Sequence, residues 1–548
     1  MKFNLIKSLF WLLPYTYLIF SNSCYGELAP PKEIELIEIF TKLHHPVTTN
    51  NPEAQQFFDQ GLTLTYAFNN DAAFKSFQKA AKLDPNMPMA YWGMALSLGS
   101  NINITVNAEK EKEAFYYILK AIQLMGLTTV NEQAYINALS KRYTDDPNFD
   151  SKKLDIQYFD AMKELVKQFP DDLDASTLYA ESGLVLNPAS QWTSSGDPLE
   201  NTMEIVNVLE SVLKRNPNHL GANHYYIHAI EGSNHPSWGL PSADRLNLIA
   251  DGLGHVQHIP AHIYALVGNY EEAIQIAEKA LQTDKDYARE YGTDNEYSIH
   301  AIAHHLAFLS KAYSMQGNFQ NAKKSADELA TFYTPFYEMM PEMEFYYSIQ
   351  TFVLIRFHKW KEILLLPPPP NSKMVISKTF WLFARALAFA SLGDTNRATE
   401  EQKLFLDNWK KLPKGSKYGS NSTDKIFSIC DDFLNATIAN KKGDLKSSIE
   451  YLREATHNEA NLKRAEPPNW FFPVREILGG ALLRNKQYDE AEKEFRQNLE
   501  KYPRNGRSLF GLLETLKARS RTSDAYWVEK QYQTAWKNAD TELNIQDL

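Results

Sequence analysis

A recurrence of 34 residues governs how this chain can fold, because a unit of that length cannot bury its apolar face alone and must stack on neighbouring copies. Counted from Ala54 as position 1, Phe57 falls at 4, Gly61 at 8, Ala73 at 20, Phe77 at 24, Ala80 at 27 and Pro85 at 32. Small residues at 8, 20 and 27 let two antiparallel helices approach closely. Aromatic residues at 4 and 24 fill the space between them, and proline stops the second helix. The spacing predicts an all-α fold, an α-solenoid of antiparallel helix pairs. Apolar residues recur at three and four rather than at two, so little strand is expected.

This spacing resembles the tetratricopeptide repeat. The same template takes in Leu478, Gly479, Ala491, Phe495 and Pro503 near the C-terminus; weaker copies place Tyr264, Ala273, Ala277 and Ala280, then Tyr313, Ala322 and Ala326. One stretch interrupts the array. Residues 364–373, LLLPPPPNSK, cannot be helical and predict an extended connector. The expected organisation is a lead-in over 27–50, a first array over 51–366, a Pro-rich connector at 367–374 and a second array over 375–548.

At the N-terminus, Lys2 and Lys7 precede an apolar run over residues 8–20 and then small and polar residues up to Gly26, the three-part pattern of a secretory signal. Residues 1–26 are expected to be a signal peptide cleaved after Gly26, with lipidation of Cys24 as the rival, and the protein to be exported: periplasmic, at the cell surface or secreted. The apolar run is shorter than the roughly 20 residues of a membrane span. Membrane attachment is therefore expected only through the signal or a lipid on Cys24. Cys24 and Cys430 are the only cysteines, which excludes a disulfide framework. With 57 Lys+Arg against 67 Asp+Glu, the net charge of −10 offers no basic surface for phosphates, so no nucleic acid is expected as a partner. The chain has no G-x-x-x-x-G-K-[ST] loop and no G-x-S-x-G elbow, and no nucleotide cofactor is expected.

Ten of the fourteen histidines lie between His219 and His305, where even scattering would put about two. His224, His228 and Glu231 follow one another at i, i+4 and i+7, and His255, His258 and His262 at i, i+3 and i+7, each set on one helix face. With Gly254 at position 1, His258 and His262 take positions 5 and 9; with Leu220 at position 1, one period earlier, His224 and His228 take the same positions and Glu231 takes 12. In tetratricopeptide repeats these positions line the concave groove, so the resemblance implies imidazoles aimed into one groove. His300 and His304 extend the stripe onto a third helix. Imidazoles on facing helices are close enough to share one transition-metal ion, zinc first, with copper, nickel or iron as alternatives. Glu231 suits a ligand, an orienting partner of an imidazole, or a base for metal-bound water. The competing reading of the same stripe is a polar groove for a protein or peptide without metal. His235 is balanced between added ligand and turn residue, and His219 and His305 read as structural.

The segment HYYIHAIEGSNHPSWGLPSADRL followed by GHVQHIPAHIYALVGNY resembles the signature of a family of exported bacterial tetratricopeptide-repeat proteins. That resemblance implies a periplasmic or surface helical-repeat protein and supplies no reaction. The leading expectation is an exported binding scaffold with a metal-capable cluster formed by His224, His228, His255, His258, His262, His300, His304 and Glu231. A metal-dependent hydrolase-like enzyme using Glu231 as base is the alternative from another class, and a metal-free peptide receptor is the third.

Overall fold

Asn51 starts the first long helix by accepting hydrogen bonds from the backbone N–H groups of Glu53 and Ala54, with Pro52 at the first helical position. Similar caps recur along the computed structural model, which describes residues 34–103, 106–188, 191–193 and 195–548. The signal expected over 1–26, with Cys24, lies outside the described residues. Among the described residues twenty-four α-helices follow one another, and the strands are one antiparallel pair, Lys417–Tyr418 and Asn421–Ser422, with Lys417 opposite Ser422. Each helix packs chiefly on the helices just before and after it, the contact pattern of a solenoid. No helix among the described residues is long and apolar enough to cross a membrane.

The repeat template works as the spacing predicts. A Cβ on Gly61 would lie 2.7 Å from the Phe77 ring, and one on Gly93 would lie 2.3 Å from it, so both glycines exist to admit that ring. Gly479, Phe495 and Gly511 repeat the lock at the C-terminal end with the same 16-residue steps, with Cβ clearances of 2.8 and 2.2 Å.

The helices that build the site are α1 (Pro52–Tyr66), α2 (Asn70–Leu83), α3 (Leu173–Val185), α4 (Leu220–Ile230), α5 (Gly254–Leu266), α6 (Tyr270–Tyr291) and α7 (Glu296–Gln316). Three more matter for comparison: α8 (Ile349–Arg356), α9 (Val474–Arg484) and α10 (Gly506–Ala518). Some contacts reach further along the chain. The end of α1 packs on α4, closing the first turn of the superhelix on itself. Both α4 and α5 are buried on nearly every side, which is why neither shows an amphipathic pattern.

Two hydrophobic cores result. One runs from Phe40 to Ile263, the other from Ala261 to Leu548, and they meet on α5. The second core continues past 367–374, where the sequence placed the connector between arrays. Ile363 before the prolines and Met374 and Phe380 after them belong to one core. The physical reason is that the proline segment lies on the surface while the flanking helices pack together beneath it; the Trp381 indole N–H donates to the Leu366 carbonyl at 3.0 Å, pinning the segment down.

Candidate metal centre

The histidine stripe is where the spacing put it, on α4, α5 and α7, but it does not line an open groove. His224 and His258 are fully buried, and His255, His262 and His304 nearly so. The cause is local. Phe68, in the turn between α1 and α2, drives its ring among the imidazoles, with centroids 4.7 Å from His224, 5.4 Å from His255 and 6.1 Å from His228. It does so from a left-handed backbone (φ 56°), which is costly for a bulky residue and persists only where packing imposes it. The repeat period reveals which residues share a face. It carries no information about what fills that face.

Hydrogen-bond partners fix the ring tautomers. His224 Nδ1–H donates to the Tyr66 carbonyl at 2.7 Å, leaving an Nε2 lone pair that sits 3.0 Å from His228 Nε2. His228 Nδ1–H donates to Glu231 Oε1 at 3.1 Å, and His262 Nδ1–H donates to Glu231 Oε2 at 2.9 Å. His304 Nε2 lies 3.3 Å from His262 Nε2 and 3.0 Å from His258 Nε2. His255 Nε2 and His258 Nδ1 are buried without a hydrogen-bond partner. Such orphaned polar atoms are costly and require a partner such as water or an ion. The nitrogens gather into two triads, His224, His228 and His255, and His258, His262 and His304, each with its atoms within 4.8 Å of one another. A tetrahedral zinc ion bonded to nitrogens at about 2.0–2.1 Å holds them roughly 3.3–3.4 Å apart, close to the spacing seen.

The electrostatics fit neutral donors arranged around a cation. Burial pushes His224, His255, His258 and His304 well below the ordinary histidine value, and neighbouring imidazoles push them further. Burial alone would raise Glu231, but His228 and His262 outweigh it and hold the carboxyl well below the usual range. With both oxygens accepting from imidazoles, Glu231 orients His228 and His262.

Three sequence-flagged residues stand apart. His300 stacks on His304 with centroids 6.1 Å apart, and its nitrogens belong to neither triad. His235 is exposed and stacks on Trp238. His219 caps α4, its Nδ1 accepting from the Ala222 N–H at 3.2 Å. His305 is structural in part: its Nε2–H donates to buried Asp284 at 2.7 Å, and its ring lies 4.5 Å from His258. Asp284 also explains Gly254, whose Cβ would fall 2.1 Å from an Asp284 oxygen.

Sequence reasoning missed a second polar centre. A cavity of about 1010 Å³ opens beside α3, lined by His44, His45, Glu132, Asp172, Asp174 and His219 among others. Asp174 accepts from His45 Nδ1–H at 2.8 Å and from the Tyr66 hydroxyl at 2.6 Å, with His219 Nε2 3.2 Å away. Tyr66 thus touches both centres, through its hydroxyl here and its carbonyl at His224. His45 and Asp174 are 129 residues apart in the chain, and no periodicity links them.

A tetratricopeptide-repeat profile matches residues 261–287, which span α5 and α6. Among curated proteins none matches the chain. Solved structures to which it is similar include the Cut9–Hcn1 hetero-tetramer of the APC/C (12% identity, 84% of this chain and 76% of that chain, TM-score 0.33). Others are human IFIT1 as a dimer with PPP-AAAA (14%, 89% and 90%, 0.34) and yeast Tom70 (14%, 88% and 97%, 0.32).

Proposed function

We propose that this protein is an exported helical-repeat binding scaffold whose interior histidine cluster holds a transition-metal ion, with zinc the first choice and copper the second. One observation carries the reading: the Nε2 atoms of His258, His262 and His304 converge at 3.0 and 3.3 Å in a buried site where a carboxylate fixes the tautomer of one ring. An all-imidazole donor set suits zinc and copper and gives hard cations such as magnesium nothing to bind. Export rests on the pattern of residues 1–26. The test is the metal content of protein purified without a histidine tag, in wild type and in His258→Ala/His262→Ala. Stoichiometric zinc or copper in the wild type and a lower content in the variant support the reading. A wild type that takes up no transition metal at neutral pH removes it.

The cavity favours a second role for the same scaffold. Glu132, Asp171, Asp172, Asp174 and Asp251 line it against a single lysine, Lys42, which suits a basic segment of a protein partner. Binding of a lysine-rich peptide that weakens with salt and with Asp171→Asn/Asp251→Asn supports it; binding indifferent to both does not.

A further inference from the structure

We infer that the cluster holds two metal ions per chain, one in each histidine triad, with Glu231 as the shared outer partner that orients one imidazole of each. This deepens the metal reading above and rests on it. The first site is formed by His224, His228 and His255, the second by His258, His262 and His304.

The argument is one of lone pairs. In the first triad both Nδ1–H groups are committed outward, His224 to the Tyr66 carbonyl and His228 to Glu231. Two neutral rings so fixed point Nε2 lone pairs at each other across 3.0 Å, an arrangement that only a proton or a cation between them makes favourable. The orphaned His255 Nε2 is the third donor. In the second triad His262 commits its Nδ1–H to the other oxygen of Glu231, and its Nε2 meets that of His304, which also meets that of His258. An imidazole ligand whose far N–H donates to a carboxylate or carbonyl is the usual outer arrangement of a histidine-bound metal. Here one carboxylate supplies it for both triads, and a backbone carbonyl supplies it for His224.

A single ion is geometrically available between His228, Glu231 and His262. It would bind through the Nδ1 atoms and the carboxylate, break both hydrogen bonds to Glu231, and leave the facing Nε2 pair of His224 and His228 unrelieved. Two ions use every converging nitrogen and keep every hydrogen bond. The two schemes also make opposite use of Glu231, as outer partner or as ligand.

The experiment is zinc stoichiometry of the full chain without a tag, loaded to saturation, with a competing chelator to resolve affinities and far-ultraviolet circular dichroism to check folding. The wild-type count requires no variant and is expected to be two. His224→Ala/His255→Ala and His258→Ala/His304→Ala are each expected to bind one. In Glu231→Gln the amide offers one acceptor oxygen in place of two, so affinity falls by about 10- to 100-fold at one site or both while two ions still bind at saturation. A wild-type count of one, abolished by Glu231→Gln, overturns the two-ion scheme and leaves the metal reading standing. A count of two that either folded double variant reduces to zero overturns the assignment to separate triads. A wild-type count of zero overturns both.

Discussion

Two of the buried polar knots, one where the two cores meet and one inside the second, solve the same problem in opposite ways. The histidine cluster joins α4, α5 and α7. The other joins α8, α9 and α10 through Arg356, Glu476 and Arg507, all nearly inaccessible. There Glu476 Oε1 accepts from Arg356 Nη1 at 2.5 Å and pairs with Arg507 Nε at 3.2 Å, while Oε2 accepts from Asn505 Nδ2 at 2.9 Å. Arg356 also donates to the Ser314 carbonyl, and Arg507 to the carbonyls of Arg356 and Asp547. Opposite charges meet and each arginine has the carboxylate as its ion-pair partner, although Arg507 Nε makes no hydrogen bond. In the histidine cluster acceptors face acceptors and two ring nitrogens have no partner. The first arrangement is held by charges the chain supplies; on the proposed reading the second is completed by ions.

The strongest challenge to that contrast is Glu476→Ala, which leaves two buried guanidinium groups without their carboxylate and should cost about 3–5 kcal/mol in urea unfolding, with or without metal. His255→Ala removes a ring that makes no side-chain hydrogen bond through Nε2 and should cost about 1–2 kcal/mol in the same assay. Equal losses would erase the distinction. Next in size is the effect of the ions: zinc at a hundred times its dissociation constant should stabilise the protein by about 2.7 kcal/mol for each ion bound, so His258→Ala/His262→Ala, left with the first triad alone, should gain about half as much as the wild type. Glu476→Ala should retain the zinc-dependent gain, since its defect lies in the other core.

A smaller effect separates the knots by pH. His224, His255, His258 and His304 titrate below their ordinary value in the fold, so as pH falls through about 6.5 the unfolded chain takes up protons the folded chain refuses. Their contribution to stability is whole above that pH and is lost as pH falls toward their folded values. His262 runs the other way: burial would lower it, but Glu231 raises it. In the metal-free protein, amide exchange in α4 and α5, corrected for intrinsic rates, should accelerate between pH 7 and pH 5. In α9 and α10 it should not, because Arg507, though lowered by burial to about 10, keeps its charge throughout. The smallest expected effect is that of His300→Ala: within about 0.5 kcal/mol of wild type, with metal content unchanged, because its ring belongs to neither triad. Loss of metal in that variant would redraw the site.

Legibility followed the range of the interaction. Gly61 and Phe77 announced the helix pair because their contact lies within one repeat. His224 with His228, and His258 with His262, announced a shared stripe because they recur at the repeat period. Phe68 among the imidazoles, the Tyr66 carbonyl on His224, and Asp174 between His45 and His219 depend on the superhelix closing on itself, which no local spacing encodes. Glu231 was legible as a member of the stripe. Its role was not, because the choice between ligand, base and orienting group depends on where His228 and His262 turn their Nδ1 atoms.

The proline run has a consequence of its own. Residues 367–370 join Leu366 to Asn371 on the surface, while the side chains on either side of them share one interior. The covalent thread is weakest where the noncovalent fabric is continuous. A chain nicked by a protease beside the prolines should therefore remain a single particle in gel filtration, and the two pieces, produced as separate polypeptides in the same cell, should find each other and purify together.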